Sequence, residues 1–333
     1  MSRKILPVPA LMVLSPLIAE YVLGNLPTDK LYYLPVLCLM YGGGAVFVRE
    51  LSRYINRGWL PFVFLAAAYG LMEEGLVTQS IFNPDYMHLK LLKYGFIPSL
   101  HTALPWAIYA VSIHVIWSLA VPVGLVDALF PARRNEPWLG MPGLVVTGLL
   151  FIGGSTWLGL ASVRQNGGFI APSPELLTAA AVIAVLVICA FWTPGTARLG
   201  QVDASASPVF HPIALGVFAF VCGSAFQLAH ACGNTFWHWP WPQTIAVMGL
   251  SVATFIGVVF SATRRRPMTA LQAFAMSLGG VLVYVWIGFL LELKLYGSGA
   301  QFGHIILDVV ILGLFMLGLF RILRAEGRIS RRQ

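Results

Sequence analysis

The stretch WLPFVFLAAAYGLMEEGLVTQSIF, residues 59–82, decides how this chain is read. It is as long as one helical crossing of a bilayer, since a hydrocarbon core of about 30 Å takes roughly 20 residues. Its only formally charged residues are the adjacent Glu73 and Glu74. An ionised carboxylate at the centre of a bilayer costs about 2.5–3.5 kcal/mol on insertion scales, so two of them demand compensation.

The rest of the chain repeats the pattern. Hydrophobic residues make up 58% of the 333 and charged ones 10%, with a mean hydropathy of +0.79. A soluble domain of this size could not cover so much apolar surface. Runs of crossing length lie at residues 5–24, 31–51, 59–82, 102–130, 138–160, 174–192, 211–232, 243–262, 271–291 and 303–323. They are too long and too uniformly apolar for the alternation of a membrane barrel. The sequence therefore predicts an all-α polytopic transmembrane bundle of about ten helices, one integral membrane domain over residues 1–333.

Basic residues orient it. With the N-terminus cytoplasmic, sixteen of the 21 Lys and Arg fall inside, and Lys30, Lys90, Lys93, Arg164 and Lys294 fall outside. That is the positive-inside asymmetry, with both termini cytoplasmic and residues 324–333 a basic cytoplasmic tail. The net charge of +8 then reflects topology and contact with anionic membrane lipids, not nucleic acid. A multi-pass location in a cell membrane follows, the cytoplasmic membrane of a prokaryote being expected. The first run opens with the basic SRK of a signal peptide, but Pro7, Pro9, Pro16 and Glu20 interrupt it and no small-residue cleavage site is evident. It is read as the first membrane helix. Cys38, Cys189, Cys222 and Cys232 lie within or at the ends of apolar spans without a CxxC pair and read as small core residues.

The segments between spans are too short to fold alone. Residues 83–101 start with the turn signal Asn83-Pro84-Asp85 and mix apolar residues with Lys90 and Lys93, as an outer interfacial loop or short helix does. HACGNTFWHWPWPQ gathers aromatic rings around His238, as at a headgroup boundary.

On a regular helix Tyr69, Glu73 and Ser80 share a face, while Gly70, Glu74 and Thr78 lie on a strip about 100° away. The carboxylates can line one wide cleft without pointing in one direction, and their repulsion favours a shared proton. The next helix brings His114 to mid-depth. His230 and Asn234 stand at the outer end of the seventh span, and His304 and Asp308 share a face at the outer start of the tenth. Glu20 and Glu292, near outer helix ends, are expected to reach water, and Arg49 and Glu50 to pair at the inner interface. The asymmetry predicts a polar cavity opening on the outer face. Glu73, Glu74 and His114 are the candidate catalytic groups, and Tyr69, Gln79, Asn234 and Asp308 candidates for substrate or ion binding. His114, His230 and His304 are candidate ligands for a divalent metal such as zinc. Gly42, Gly43 and Gly44, like Gly153 and Gly154, either break their helices or allow close packing.

Adjacent intramembrane glutamates, a histidine on the next helix and a later His-x-x-x-Asn or His-x-x-x-Asp resemble the CAAX-protease and bacteriocin-processing family of intramembrane endopeptidases. The resemblance implies that Glu73 and Glu74 occupy the first motif, His114 the second, and His230 with Asn234 or His304 with Asp308 the third. It also implies that these residues position and activate a water. Thr78 and Ala110 stand where that family has arginine and phenylalanine. More broadly, SPLIAEYVLGNLP, YGGGAVFVREL, YGLMEEGL and ARRNEPWLG resemble uncharacterised prokaryotic multi-pass membrane proteins, a likeness that implies a family without an activity.

Three classes of function stay open: a membrane-embedded hydrolase acting on a peptide or lipid-linked substrate, a proton- or cation-coupled transporter, and a non-catalytic scaffold. Walker, GxGxxG, HExxH and GxSxG motifs are absent from the sequence. Neither substrate nor oligomeric state is legible.

Overall fold

The computed structural model describes residues 6–56, 58–193, 210–263 and 267–330, the last six of them as backbone only. Ten apolar helices follow one another: α1 Pro7–Val22, α2 Thr28–Ile55, α3 Leu60–Val77, α4 Leu104–Leu129 and α5 Met141–Gln165, then α6 Ser173–Trp192, α7 Pro212–Gly233, α8 Trp241–Thr263, α9 Ala270–Tyr296 and α10 Gln301–Ser330. Among the described residues nine are long and apolar enough to cross a membrane, and α1 is shorter. Its length of roughly 24 Å falls short of a full hydrocarbon core.

Prolines start many of these helices. Pro7, Pro61, Pro105, Pro142, Pro174 and Pro212 occupy first turns, where an amide N–H has no intrahelical partner to lose. α9 starts instead with a capping box between Thr269 and Gln272. α2 stops at Asn56, which takes the left-handed conformation (φ 48°).

Two hydrophobic clusters fill the bundle. One is drawn mainly from α1 to α5, the other from α1, α4 and α7 to α10. α1 and α4 therefore form the seam of the molecule. In the most apolar windows of α3 and α4, 56% of residues are buried, against 11% in α8. The helices that carry the polar residues are the inner ones, while α5, α6 and α8 turn apolar side chains outward as lipid-facing helices do.

Four inner helices are not regular. Each contains a widened π-helical segment: Leu17–Val22 in α1, Cys38–Gly42 in α2, Glu73–Val77 in α3 and His114–Ala120 in α4. Such turns make up well under 1% of residues in ordinary proteins and recur at functional sites.

All the paired glycines but Gly153 lie against neighbouring helices. Gly42 lies against Met12, Gly44 against the Tyr69 ring, and Gly154 against Leu39 and Met40. α2 runs on as regular helix through Gly43–Ile55, and α5 is unbroken. The four cysteines are free thiols.

Alternate loops meet at opposite ends of the bundle. At one end Tyr296 bonds to Asn25 O, Met87 N to Asn166 and His101 to Glu175. At the other, Arg49, Arg53 and Arg134 tie the α2 end to the α4–α5 loop and to the start of α9. This is the up-and-down order expected from the charge pattern. Residues 83–101 form a loop with a 3₁₀ turn at Tyr86–His88 and a strand, β1 Phe96–Ile97, paired antiparallel with β2 Thr102–Ala103. Tyr94 anchors it to Trp239 O and Thr244, both at 2.8 Å. His238 is exposed rather than ringed, and Trp237 stacks on Trp239 beside it at 4.5 Å. Arg3, Lys4, Arg57, Arg198, Arg264, Arg265, Arg266, Arg331 and Arg332, used in orienting the chain, lie outside the described residues, as does the end of the basic tail.

Candidate functional site

The first turn of the π segment in α3 carries Glu73 and Glu74, and the first residue of the π segment in α4 is His114. His114 Nε2 lies 2.5 Å from Glu73 Oε2 and 3.0 Å from Glu74 Oε1. On a regular helix the two carboxylates would diverge; on the wider turn both reach one imidazole nitrogen. The second ring nitrogen, Nδ1, is 3.1 Å from Ser118 Oγ within the same segment. Gly70, one turn before the glutamates, lets α4 come this close, because a Cβ there would meet His114 Cβ and Val111 O, each at 3.0 Å.

The other two π segments supply a third carboxylate. Glu20 of α1, expected near water, is buried and is held by Tyr41 of α2 and by Asn25 Nδ2 at 2.6 Å. Tyr41 Oη also stands 3.5 Å from Glu73 Oε1. The widened turns of α1, α2, α3 and α4 thus converge on one network, Glu20–Tyr41–Glu73–His114–Glu74. Its outer edge is Ser80, hydrogen-bonded to Glu74 and accepting Trp106 Nε1 at 3.1 Å.

The group is enclosed, with Glu73, Glu74 and His114 exposed by 4%, 7% and 4%. An open cleft on the outer face was expected; Ser80 and Trp106 close that side. Three carboxylates face one imidazole, so negative charge is in excess even when His114 is protonated, and burial makes an uncompensated charge expensive. Either protons or a cation must balance it. Among the described residues, Glu73, Glu74 and His114 are the one group of three whose ligand atoms gather within 4.8 Å of one another. Glu73 Oε2 accepts no properly angled hydrogen bond despite its 2.5 Å contact with the ring.

The remaining candidates go elsewhere. Tyr69 borders the site, its ring edge-on to His114 at 6.0 Å and stacked on Phe151 at 5.4 Å, with its hydroxyl unpartnered among the described residues. Gln79 takes a left-handed conformation (φ 56°) and accepts Ala171 N at 2.6 Å. Its amide is spent on joining two loops. Asn234 is exposed at the end of α7. His230 stacks on Tyr109, ring centroids 3.5 Å apart, and lies outside the ligand gathering. His304 and Asp308 form a separate cluster in which His304 Nε2 is 3.2 Å from Asp308 and Nδ1 is 3.4 Å from Glu292. Glu292, also expected to reach water, is fully buried there. His230 and His304 are therefore not ligands of the Glu73–Glu74 group in this arrangement.

At the opposite end Arg49 and Glu50 are far from an interfacial pair. They bond at 2.6 Å with both side chains fully buried. Arg49 also reaches Asp127 at 3.0 Å, donates to the carbonyls of residues 133, 134 and 136, and stacks on Trp138 at 3.5 Å. Sequence reasoning missed Asp127, Glu20 and Tyr41; the quoted segments around Glu20, Tyr41 and residues 132–140 were the available signal.

Fold and site together define a polytopic helical membrane protein with a buried Glu-Glu-His group at its core. Residues 10–320 match an uncharacterized membrane protein family, and the chain belongs to that family. No curated protein and no solved structure matches it. The likeness to intramembrane endopeptidases thus rests on the motif residues alone.

Proposed function

We propose that the chain is a membrane-embedded, peptidase-like hydrolase that holds one divalent ion of the zinc type at Glu73, Glu74 and His114 and acts on a peptide or lipid-linked substrate. The observation that carries this reading is the gathering of two carboxylates and one imidazole within 4.8 Å in a buried site. Three protein ligands with a fourth position open is the pattern of catalytic zinc sites, whereas structural sites are closed by four. The contact of His114 Nδ1 with Ser118 orients the ring and leaves Nε2 to coordinate, as outer-shell partners of ligating histidines do.

The ion would supply Lewis acidity toward a scissile carbonyl and ease the deprotonation of water. The chain's own residues supply the rest. Tyr41 links Glu73 to Glu20, so a proton released at the triad has a second carboxylate to reach. The Tyr69 hydroxyl is a free donor at the edge of the site, suited to developing negative charge. Ser80 holds Glu74 in place. The likeness of these residues to endopeptidase motifs points the same way.

Proton- or cation-coupled transport is the second reading, favoured by the same Glu20–Tyr41–Glu73 chain. Against it, Gly42, Gly43, Gly44 and Gly154 pack against neighbours, and α5 runs unbroken through Gly153. Elemental mass spectrometry of the purified protein separates the two. The hydrolase reading expects about one transition metal per chain, lost in folded Glu74→Gln and His114→Ala variants. A metal-free intact protein sinks the metal-assisted mechanism and turns attention to proton flux in liposomes.

A further inference from the structure

The basic end of the bundle holds a second feature, independent of the Glu-Glu-His group. A cavity of about 230 Å³ opens there between α2, α4, the α4–α5 loop and the lead into α9, lined among others by Arg53, Asp127, Arg134, Asn135, Pro267 and Met268. Its walls are pinned. Arg53 Nε donates to Arg134 O at 2.8 Å, and Arg134 Nη1 donates to Met268 O at 2.6 Å. Beneath them the buried Arg49 gathers the carbonyls of the same loop, so the loop is fixed by its backbone, and Asn135 is left exposed at its tip.

The charge of the cavity is positive once its pairs are counted. Asp127, its one acidic residue, is neutralised on both oxygens, Oδ1 by Arg49 at 3.0 Å and Oδ2 by Arg53 at 2.8 Å. Arg134 has no carboxylate partner among the described residues, and one of its terminal amino groups is engaged only by a carbonyl. The side-chain amide of Asn135 makes no bond to the described residues. Arg53 is spent on Asp127 and the Arg134 carbonyl, so the donors left facing the space are those of Arg134 and Asn135, for which the described residues offer no carboxylate. Pro267 and Met268 give the opening an apolar lip, and the first turn of α9 adds the positive end of a helix dipole.

We infer that this cavity binds a phosphate-bearing anion, with the headgroup of an anionic lipid as its source at this depth in the bundle. Planar guanidinium groups and open amide donors around an otherwise uncharged floor match the chemistry of a phosphate ester. The apolar lip suits the glycerol and first methylenes of a lipid. A zwitterionic headgroup would bring its own cation into a positive site and be disfavoured.

Native mass spectrometry of the full chain in detergent, with phosphatidylglycerol or phosphatidylcholine added, tests the assignment. Phosphatidylglycerol is expected to be retained, and retention to fall about tenfold in Asn135→Asp, which puts an anion into the cavity with little change of shape. Arg134→Gln is expected to do the same, and Asn135→Asp remains decisive should Arg134→Gln fail to fold. Inorganic phosphate is the third probe. If it displaces the lipid, the phosphate group is what is recognised and free phosphate shares the site; if the lipid survives excess phosphate, the lipid is the source. Equal retention of the two lipids, or unchanged phosphatidylglycerol retention in folded Asn135→Asp, overturns the inference.

Discussion

Gly70 sets how closely α4 approaches α3, because any side chain there must displace His114 or the Val111 carbonyl. Gly70→Ala is therefore expected to lower stability by about 1–3 kcal/mol through overpacking, read as a fall in Tm in detergent. A variant that melts like the parent would show that α4 can yield without cost. Tyr41→Phe removes the hydroxyl shared by Glu20 and Glu73 and leaves buried acceptors short of a donor, a loss of about 1–3 kcal/mol by the same measurement. Arg49→Met acts more strongly. It strands Glu50 and part of Asp127 without a counter-charge, and losing one partner of a buried pair costs about 3–5 kcal/mol. Expression of a well-folded Arg49→Met protein at parental yield and Tm would contradict the counter-charge role.

At the scale of elements, the π segments are what make the site possible. A regular α3 presents Glu73 and Glu74 about 100° apart; in the widened turn both meet His114 Nε2. The same argument applies to α4, whose π segment lies between His114 and Asp127 and so sets the phase between the Glu-Glu-His group and the Arg49 cluster. Deleting Ile116 is expected to relax that segment to a regular helix with its flanks kept in phase, because the widened turn absorbs one extra residue, and to take His114 out of the wide turn that faces the glutamates. Circular dichroism should then keep its helical amplitude while metal content or Tm drops sharply. Full retention of both would mean that the widened turn is not what holds His114 to the glutamates. Apolar periodicity located α3 and α4 closely, because length and hydropathy are sums over many residues. It gave no sign of the widened turns, whose extra residue is stabilised by contacts across helices and not by local propensity.

For the whole molecule, the division of loops between two ends follows from helix order, while the side each end faces follows from charge. In a chain with its native cysteines replaced, Lys90→Cys is expected to react with a membrane-impermeant thiol reagent in intact cells, and Asn135→Cys only after permeabilisation. The reverse pattern would invert the topology. The seam position of α1 and α4 between two hydrophobic clusters also explains why the polar network lies where it does. A site at the seam is shielded from lipid by helices on both sides, so its carboxylates can be balanced by protein groups instead of being exposed to hydrocarbon.

The sequence by itself determined the class and the layout: a helical membrane bundle, the approximate bounds of its ten apolar helices, and the exceptional standing of Glu73, Glu74 and His114. Those features are local or additive, and a bilayer imposes them on any chain that crosses it. Only the tertiary structure decided which polar residues meet. It joined Glu20 and Tyr41 to the glutamates, sent His230 to an aromatic stack and His304 to Glu292 and Asp308, and turned Arg49 from an interfacial residue into the centre of a buried cluster. The physical reason is that a buried charge is placed by its partner, and its partner lies on another helix.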